Sequence, residues 1–168
     1  MNKNNPTVSV VMATYNGEKF IREQLDSIVT QTYPLYELII QDDGSVDGTV
    51  DICREYAQRY PFIHVFVNVE NKGLDANFES ATMRSTGDFV AFSDQDDIWY
   101  PEKISRQVMA ISDHDICFSC YDRGPDRTHS ALIKQQYQME ALLFAGFAGH
   151  TMLLRGDFAR TPGYWVLG

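Results

Sequence analysis

The chain has 168 residues, with no long hydrophobic run, few basic residues and few cysteines. No apolar stretch approaches the roughly 20 residues that a membrane-spanning helix needs. Lys and Arg number 14 against 23 Asp and Glu, so the formal charge is −9. This excess of negative charge argues against nucleic acid as a partner, because phosphate backbones are bound through basic patches. An acidic protein that handles phosphate groups is expected to use a metal cation as intermediary.

The cysteine content is low and odd in number, with Cys53, Cys117 and Cys120. Such a count does not indicate a disulfide framework, and the first residues contain no apolar leader, so a cytoplasmic location is predicted. Cys117 and Cys120 have C-x-x-C spacing but lack a second pair. We interpret them as small buried hydrophobic residues rather than as zinc or redox ligands.

Apolar runs alternate with segments of helical periodicity over residues 7–111. This order predicts an α/β fold, a doubly wound and mostly parallel sheet with helices on both faces, in a single domain over residues 1–168. The predicted strands cover residues 7–13, 38–40, 62–67 and 88–92, and the predicted helices cover 17–32, 47–60, 74–83 and 102–111. Further on, we predict strands over 115–120 and 151–155, a polar loop over 124–130 and a helix over 140–147.

Unusual polar residues follow three of the predicted strands where each one ends. Thr14 and Tyr15 follow the first strand, Asp42 and Asp43 the second, and the acidic segment 94–97 the fourth. Ligands of open α/β sheets bind beyond the carboxyl ends of the strands. These residues are therefore expected to meet at one edge of the sheet and form a site.

The segment FSDQDDIWYP, residues 92–101, concentrates Asp94, Asp96 and Asp97 within four positions. Neighbouring carboxylates repel one another, and a divalent cation such as Mn²⁺ or Mg²⁺ removes the conflict while also binding phosphate. The alternative is an acidic loop that caps the following helix, a role that Asp97 alone could fill. Asp42 and Asp43 have a similar alternative as part of an ordinary turn. Trp99 is interpreted as a core residue beneath the site.

No G-x-G-x-x-G follows the first strand and no G-x-x-x-x-G-K-[ST] is present, which argues against a nicotinamide cofactor and a P-loop. A nucleotidyltransferase would need a basic loop after the first strand, where only Lys19 is found. Residues 6–111 instead resemble the N-terminal nucleotide-sugar-binding half of family 2 glycosyltransferases, which are inverting enzymes with the A-type glycosyltransferase fold. The matching segments are VSVVMATYNGEKFIREQLDSIVTQTYP, YELIIQDDGSVDGTVDI, NKGLDANFESA and STGDFVAFSDQDDIWYPEKI. The DQDD segment resembles bacterial polysaccharide enzymes, including rhamnosyltransferase-like members.

The resemblance implies a role for each matched residue. Tyr15 would lie against the base, Asp42 would accept a hydrogen bond from the base edge, and Asp43 would support that loop. Asp94 would approach the ribose or sugar, and Asp96 would bind the metal together with Asp94. The nucleotide-sugar-binding residues implied in this way are Ala13, Thr14, Tyr15, Asp42, Asp43, Asn71, Lys72, Gly73, Asn77, Asp94 and Gln95. Tyr15 and Asn77 could instead be packing and helix-surface residues.

The reaction implied is displacement at the anomeric carbon of a nucleotide-diphosphate sugar by an acceptor hydroxyl. Mn²⁺ or Mg²⁺ would neutralise the diphosphate leaving group. The acceptor would be a saccharide or a lipid-linked molecule, so a peripheral position at the inner face of the membrane is a further expectation.

The general base of the family is not matched by any residue of this sequence. The Gly-rich segment 145–155 resembles the start of the acceptor side, and His150 could contact acceptor or phosphate, or be a histidine satisfied at a strand start. Asp157 follows that strand too soon to be the base. We therefore expect residues 112–168 to be an incomplete acceptor-binding half that lacks the catalytic base. The alternative function is a non-catalytic nucleotide-sugar-binding fragment.

Overall fold

The computed structural model describes residues 5–120 and 149–161, which form one six-stranded sheet covered by helices. The strands are β1 (Val8–Thr14), β2 (Glu37–Asp42), β3 (Ile63–Val67), β4 (Phe89–Ser93), β5 (Ile116–Phe118) and β6 (Met152–Arg155). The helices are α1 (Ile21–Val29), α2 (Thr49–Arg59), α3 (Leu74–Arg84), α4 (Lys103–Ile111) and α5 (Gly156–Ala159), with a 3₁₀ turn over Gly149–Thr151.

The strand order across the sheet is β3-β2-β1-β4-β6-β5. β1 pairs in parallel with β2 and β4, β2 pairs in parallel with β3, and only β6 runs antiparallel to its two neighbours. The predicted doubly wound, mostly parallel sheet is therefore confirmed. The chain first moves outward from β1 to β3 and then returns to place β4 on the other side of β1. This change of direction opens a crevice at the carboxyl ends of β1 and β4, where α/β sheets bind ligands.

Alternating side chains of the strands form two apolar layers. Val10 and Met12 of β1 pack against α1, α2 and α4, whereas Val11 and Ala13 pack against α3 and α5. Because helices cover both faces, β1 is buried over its whole length, which explains its continuous apolar sequence. Burial of each large aliphatic side chain stabilises the fold by roughly 1.5–3 kcal/mol. The rigid layers fix the strand ends that carry the polar residues.

The predicted boundaries differ most at the helix starts. The helix predicted from residue 17 begins at Ile21, because Gly17 to Phe20 forms a turn at the sheet edge. The helix predicted from residue 47 begins at Thr49, and the Asp47 carboxylate accepts a hydrogen bond from the Thr49 backbone N–H at 3.0 Å. Both helices therefore begin after a turn that the periodicity had not separated from the helix.

The distal part agrees with the sequence in outline. β5 and β6 are present but shorter than predicted, and α5 was not predicted. Trp99 is buried in the core as expected. The interpretation of the C-x-x-C pair as buried was wrong for Cys120, which is exposed just past β5, whereas Cys117 is partly buried. The loop predicted over 124–130 and the helix predicted over 140–147 lie outside the described residues. Among the described helices, none has the length and apolar character required to cross a bilayer.

Candidate functional site

An open cleft of about 480 Å³ lies at the carboxyl ends of β1, β2 and β4. Its volume falls within the range of small-molecule sites. The cleft is lined by Ala13, Thr14, Tyr15, Asp43, Asn71, Gly73, Leu74, Asn77, Asp94, Gln95 and Asp96. The strand ends that the sequence placed at one edge therefore meet in one concave surface, and Leu74 joins them without having been predicted.

Asp42 lies away from its expected position, whereas Asp43 is nearly buried and supports a loop. Asp42 has no exposed surface and its carboxylate accepts hydrogen bonds from the Thr14 hydroxyl at 2.7 Å, the Ser45 hydroxyl at 2.6 Å and the Gly44 and Ser45 backbone N–H groups. Four donors use the acceptor positions of a carboxylate. The expectation that Asp42 meets a base edge is thus corrected: Asp42 supports the loop, and Asp43 reaches the cleft.

A buried polar network stands behind Asp43. The Asn68 amide donates to the Asp43 carboxylate at 2.7 Å and to the Asn77 side-chain oxygen at 3.1 Å, and the Asn77 amide donates to the Gln41 carbonyl at 2.6 Å. Asn77 lines the cleft but is almost completely buried. Sequence reasoning missed Asn68, although it directly follows β3 and the rule about strand ends applies to it as well.

The segment from Asn71 to Gly73 is held over the cleft by the same carboxylate. The backbone N–H groups of Lys72 and Gly73 donate to the two Asp43 oxygens at 2.9 Å and 2.8 Å. Gly73 has a φ of 88°, a backbone conformation that L side chains rarely adopt. Of the predicted trio, Asn71 and Gly73 line the cleft, and Lys72 contributes its backbone to the loop.

Tyr15 presents its ring at the cleft while its backbone is bound. The side chain is 47% exposed, and the Gln95 amide accepts from the Tyr15 N–H at 2.9 Å and donates to the Tyr15 carbonyl at 3.1 Å. Next to it, the Asn16 N–H donates to the Ser45 hydroxyl at 2.8 Å. The aromatic ring therefore stands on a fixed backbone at the mouth of the cleft.

The acidic loop after β4 divides its carboxylates between two places. Asp94 and Asp96 line the cleft, and Asp96 is the exposed one. Asp97 lies deeper, where His150 Nδ1 is 3.3 Å from Asp94 Oδ2 and 3.2 Å from Asp97 Oδ2. One ligand atom from each of Asp94, Asp97 and His150 lies within 4.8 Å of the others, a grouping that could hold a metal ion. Asp96, the expected metal ligand, is outside this group, and His150 meets the acidic loop.

The negative charge of Asp97 is only partly offset by His150, whose Nδ1 lies 3.2 Å from Asp97 Oδ2. Its buried Oδ2 receives no hydrogen bond from the described residues. Burial raises the pKa of Asp97 above its usual value, His150 opposes this, and the charges of Asp94 and Asp96 raise the pKa further. Carboxylate and imidazole ligands suit a divalent transition cation. The loop therefore fits a positive ion, which would relieve the repulsion among its carboxylates.

Asp157 lies away from the cleft, at the opposite end of the strands. β6 runs antiparallel to β4, with Arg155 opposite Phe89, the first residue of β4. Asp157 follows in α5 and is exposed at the amino-terminal edge. His150, at the other end of β6, is brought to the cleft by the same antiparallel pairing.

These features agree with the comparison with known proteins. The family model described as glycosyl transferase family 2 matches residues 9–167. The chain belongs to this family. It is 39% identical over 110 residues to EpsE of Bacillus subtilis, a glycosyltransferase by name, with 65% of this chain and 40% of EpsE covered. It is 42% identical over 102 residues to the dTDP-rhamnosyl transferase RfbG of Shigella flexneri, with 58% of this chain and 35% of RfbG covered.

Solved structures of glycosyltransferases share the fold. TarS of S. aureus superposes with a TM-score of 0.73 at 24% identity, covering 90% of this chain and 47% of the TarS fragment. The mannosyltransferase of Pyrobaculum calidifontis in complex with GDP-Man and Mn²⁺ gives a TM-score of 0.65 at 29% identity, covering 72% of this chain and 37% of that one. The expected A-type glycosyltransferase fold is confirmed. The chain spans less than half the length of these relatives.

Proposed function

We propose that the chain binds a nucleotide-diphosphate sugar in the cleft and transfers the sugar, with inversion, to an acceptor hydroxyl in the synthesis of a bacterial cell-surface polysaccharide. The observation that carries the proposal is the convergence of Tyr15, Asp43 and the acidic loop on one cleft at the switch point of the sheet. The mannosyltransferase relative was solved with a nucleotide-sugar and a metal ion, and the RfbG name specifies a nucleotide-sugar donor. We further propose a saccharide or lipid-linked acceptor, as the resemblance to the family implies.

The two walls of the cleft suit the two ends of such a donor. The exposed Tyr15 ring offers a stacking surface for a base, and Asp43, which also lines the cleft, holds the loop at Lys72 and Gly73 through their backbone N–H groups. The opposite wall carries Asp94 and Asp96. Without a cation, these carboxylates would repel a diphosphate. Their charge therefore favours a donor whose diphosphate is bound to a cation.

We assign the divalent cation to Asp94 and Asp96, because both line the cleft where a diphosphate would lie. The cation, Mn²⁺ or Mg²⁺, supplies charge neutralisation of the leaving diphosphate. His150 contacts both Asp94 and Asp97, and its Nδ1 lies 3.3 Å from Asp94 Oδ2, so it positions that carboxylate. The competing assignment uses Asp94, Asp97 and His150 as the ligands. Mn²⁺ titrations of Asp96→Asn and His150→Gln followed by electron paramagnetic resonance distinguish them, since only the first variant should lose the ion.

The displacement requires a base that accepts the proton of the acceptor hydroxyl. Among the described residues, the carboxylates at the cleft belong to Asp43 and the acidic loop, which already have other roles. The alternative function, a nucleotide-sugar-binding unit without transfer, is therefore tested beside the first. Incubating the chain with labelled donor and acceptor extracts separates the two, because the second candidate binds the donor without forming a glycoside.

The donor site itself is tested by thermal unfolding in the presence of UDP, GDP, CDP and dTDP, each with and without Mn²⁺. A ligand that binds only the folded state at 100 times its dissociation constant stabilises it by roughly 2.7 kcal/mol. We expect one of the four to raise the unfolding temperature only when Mn²⁺ is present. No shift with any of them would contradict the proposal.

A further inference from the structure

Gln95 lies between two cleft carboxylates, yet its amide is engaged with the protein itself. Its oxygen accepts from the Tyr15 N–H at 2.9 Å and its nitrogen donates to the Tyr15 carbonyl at 3.1 Å. Both polar groups of the Tyr15 backbone are thus paired by one side chain from a different strand end. Within a sheet, the backbone of a neighbouring strand would make these two hydrogen bonds. Past the end of β1, the Gln95 side chain makes them instead.

We propose that Gln95 is a positioning residue rather than a ligand contact: it fixes the Tyr15 backbone so that the exposed ring is preorganised for the nucleobase. The proposal rests on the proposed function for the identity of the ligand. A ring held in its binding position before the ligand arrives loses less conformational freedom on binding. Gln95 also connects the acidic loop with Tyr15, because it lies between Asp94 and Asp96 in the sequence.

The surroundings of the contact are adapted to it. A Cβ at Gly17 would overlap the Gln95 amide group, so the glycine leaves the space that this side chain occupies. Asn16, between Tyr15 and Gly17, has a φ of 48°, and its side-chain oxygen accepts from the Val46 N–H at 2.9 Å. The loop that carries Tyr15 is therefore held from the β2 side through Asn16 and from the β4 side through Gln95.

The direct test of the contact uses amide hydrogen exchange without any ligand. In Gln95→Ala, the Tyr15 amide should exchange about tenfold faster, since one hydrogen bond that protects it is gone. Gln95→Glu keeps an acceptor for that N–H and should retain most of the protection. Gln58→Ala is the matched control, because Gln58 is exposed on α2 and has no side-chain partner among the described residues. Unchanged Tyr15 exchange in Gln95→Ala would overturn the proposal.

The test of positioning is a double-mutant cycle on the affinity for whichever of UDP, GDP, CDP and dTDP binds with Mn²⁺. Gln95→Ala should weaken binding about tenfold when Tyr15 is present and less than about twofold in the Tyr15→Ala background. Equal losses in both backgrounds would mean that Gln95 touches the ligand and would overturn the proposal. Gly17→Ala should reproduce the effect of Gln95→Ala while keeping the amide, by displacing it.

The failure of this inference is distinguishable from the failure of the proposed function. If the wild-type chain bound none of the four nucleoside diphosphates, the proposed function and the role of Tyr15 for a nucleobase would both fall. Hydrogen exchange would then still decide whether Gln95 fixes Tyr15. If the wild type binds and the cycle shows no coupling, only the positioning role falls.

Discussion

Acidic residues follow β2 and β4 on two sides of the same cleft, Asp42 and Asp43 on one side and the acidic loop on the other, and their surroundings differ. The carboxylates of Asp42 and Asp43 accept hydrogen bonds from four and three donors respectively. On the other wall, Asp96 is exposed to solvent. The buried Oδ2 of Asp97 accepts no hydrogen bond from the described residues, and His150 Nδ1 lies 3.2 Å from it as an ion-pair partner. The hydrogen-bonding capacity of the first pair is used as folded, whereas among the second group of three carboxylates one histidine, His150, offsets only part of the charge. Asp42 and Asp43 stabilise the structure of the site, whereas the carboxylates of the acidic loop are the candidates for binding a cation.

The largest effect on nucleotide binding is expected at Asp96 in the acidic loop. Asp96→Asn should weaken Mn²⁺-dependent nucleotide binding roughly a hundredfold or more, because a cation ligand worth several kcal/mol is removed. Calorimetric titration with the stabilising nucleotide measures it. Asp113→Asn, an exposed acidic residue after α4, makes the same change of charge elsewhere and should bind normally. Normal binding by Asp96→Asn would remove Asp96 from the site.

The next largest effect is expected on the free energy of unfolding, at Asp42 after β2. Asp42→Asn should lower the free energy of unfolding by about 2 kcal/mol, because an amide cannot accept from all four donors. Urea denaturation without ligand measures this change. Asp51→Asn in α2, which has only a 3.9 Å ion pair with Arg54, should stay within about 0.5 kcal/mol of the wild type. If the two variants were equally stable, Asp42 would not be the support that the hydrogen bonds indicate.

A smaller loss is expected at the residue behind Asp43. Asn68→Ala should lower the free energy of unfolding by about 1 kcal/mol and weaken nucleotide binding several-fold, since Asp43 loses a donor that orients it. Both quantities can be followed in one thermal-shift titration. Asn5→Ala, at an exposed position, is the control. Unaltered nucleotide affinity would show that the network stabilises the fold without tuning Asp43.

The smallest expected effect is a gain, rather than a loss, in the free energy of unfolding. Asp97→Asn, measured by urea denaturation in a metal chelator, should leave stability unchanged or raise it by roughly 0.5 kcal/mol. The reason is that the substitution removes a carboxylate charge that burial disfavours, as the raised pKa of Asp97 shows. Asp113→Asn again serves as reference. A loss as large as that expected for Asp42→Asn would mean that Asp97 is a satisfied structural residue and that the two walls are alike.

The sequence was sufficient to predict the sheet and the edge of the site. Continuous burial of β1 follows from its apolar run, and the position of Tyr15, Asp43 and Asp94 follows from the rule that strand ends meet. The order of Asp42 and Asp43 could not be predicted, because it depends on β2 register. Thr14 lies opposite Asp42 in that register and donates to its side chain.

Two further contacts depend on pairings that lie far apart in the sequence. His150 reaches the acidic loop because β6 lies antiparallel beside β4, and no local pattern specifies that neighbour. The family resemblance implied that Gln95 binds the nucleotide-sugar, and Gln95 does line the cleft. Its amide instead pairs with the Tyr15 backbone 80 positions earlier, a contact that becomes visible only when β1 and β4 are side by side.

The most direct test of the central claim is the affinity of the chain for Mn²⁺, measured by electron paramagnetic resonance with and without the nucleoside diphosphate that stabilises it. If a cation joins the two walls through the diphosphate, each ligand must strengthen the other by the same factor. We expect the nucleotide to raise Mn²⁺ affinity at least about tenfold beyond binding of the ion to free nucleotide, and Asp96→Asn to abolish the gain. Equal Mn²⁺ affinity in both conditions would contradict a cation-bridged donor site.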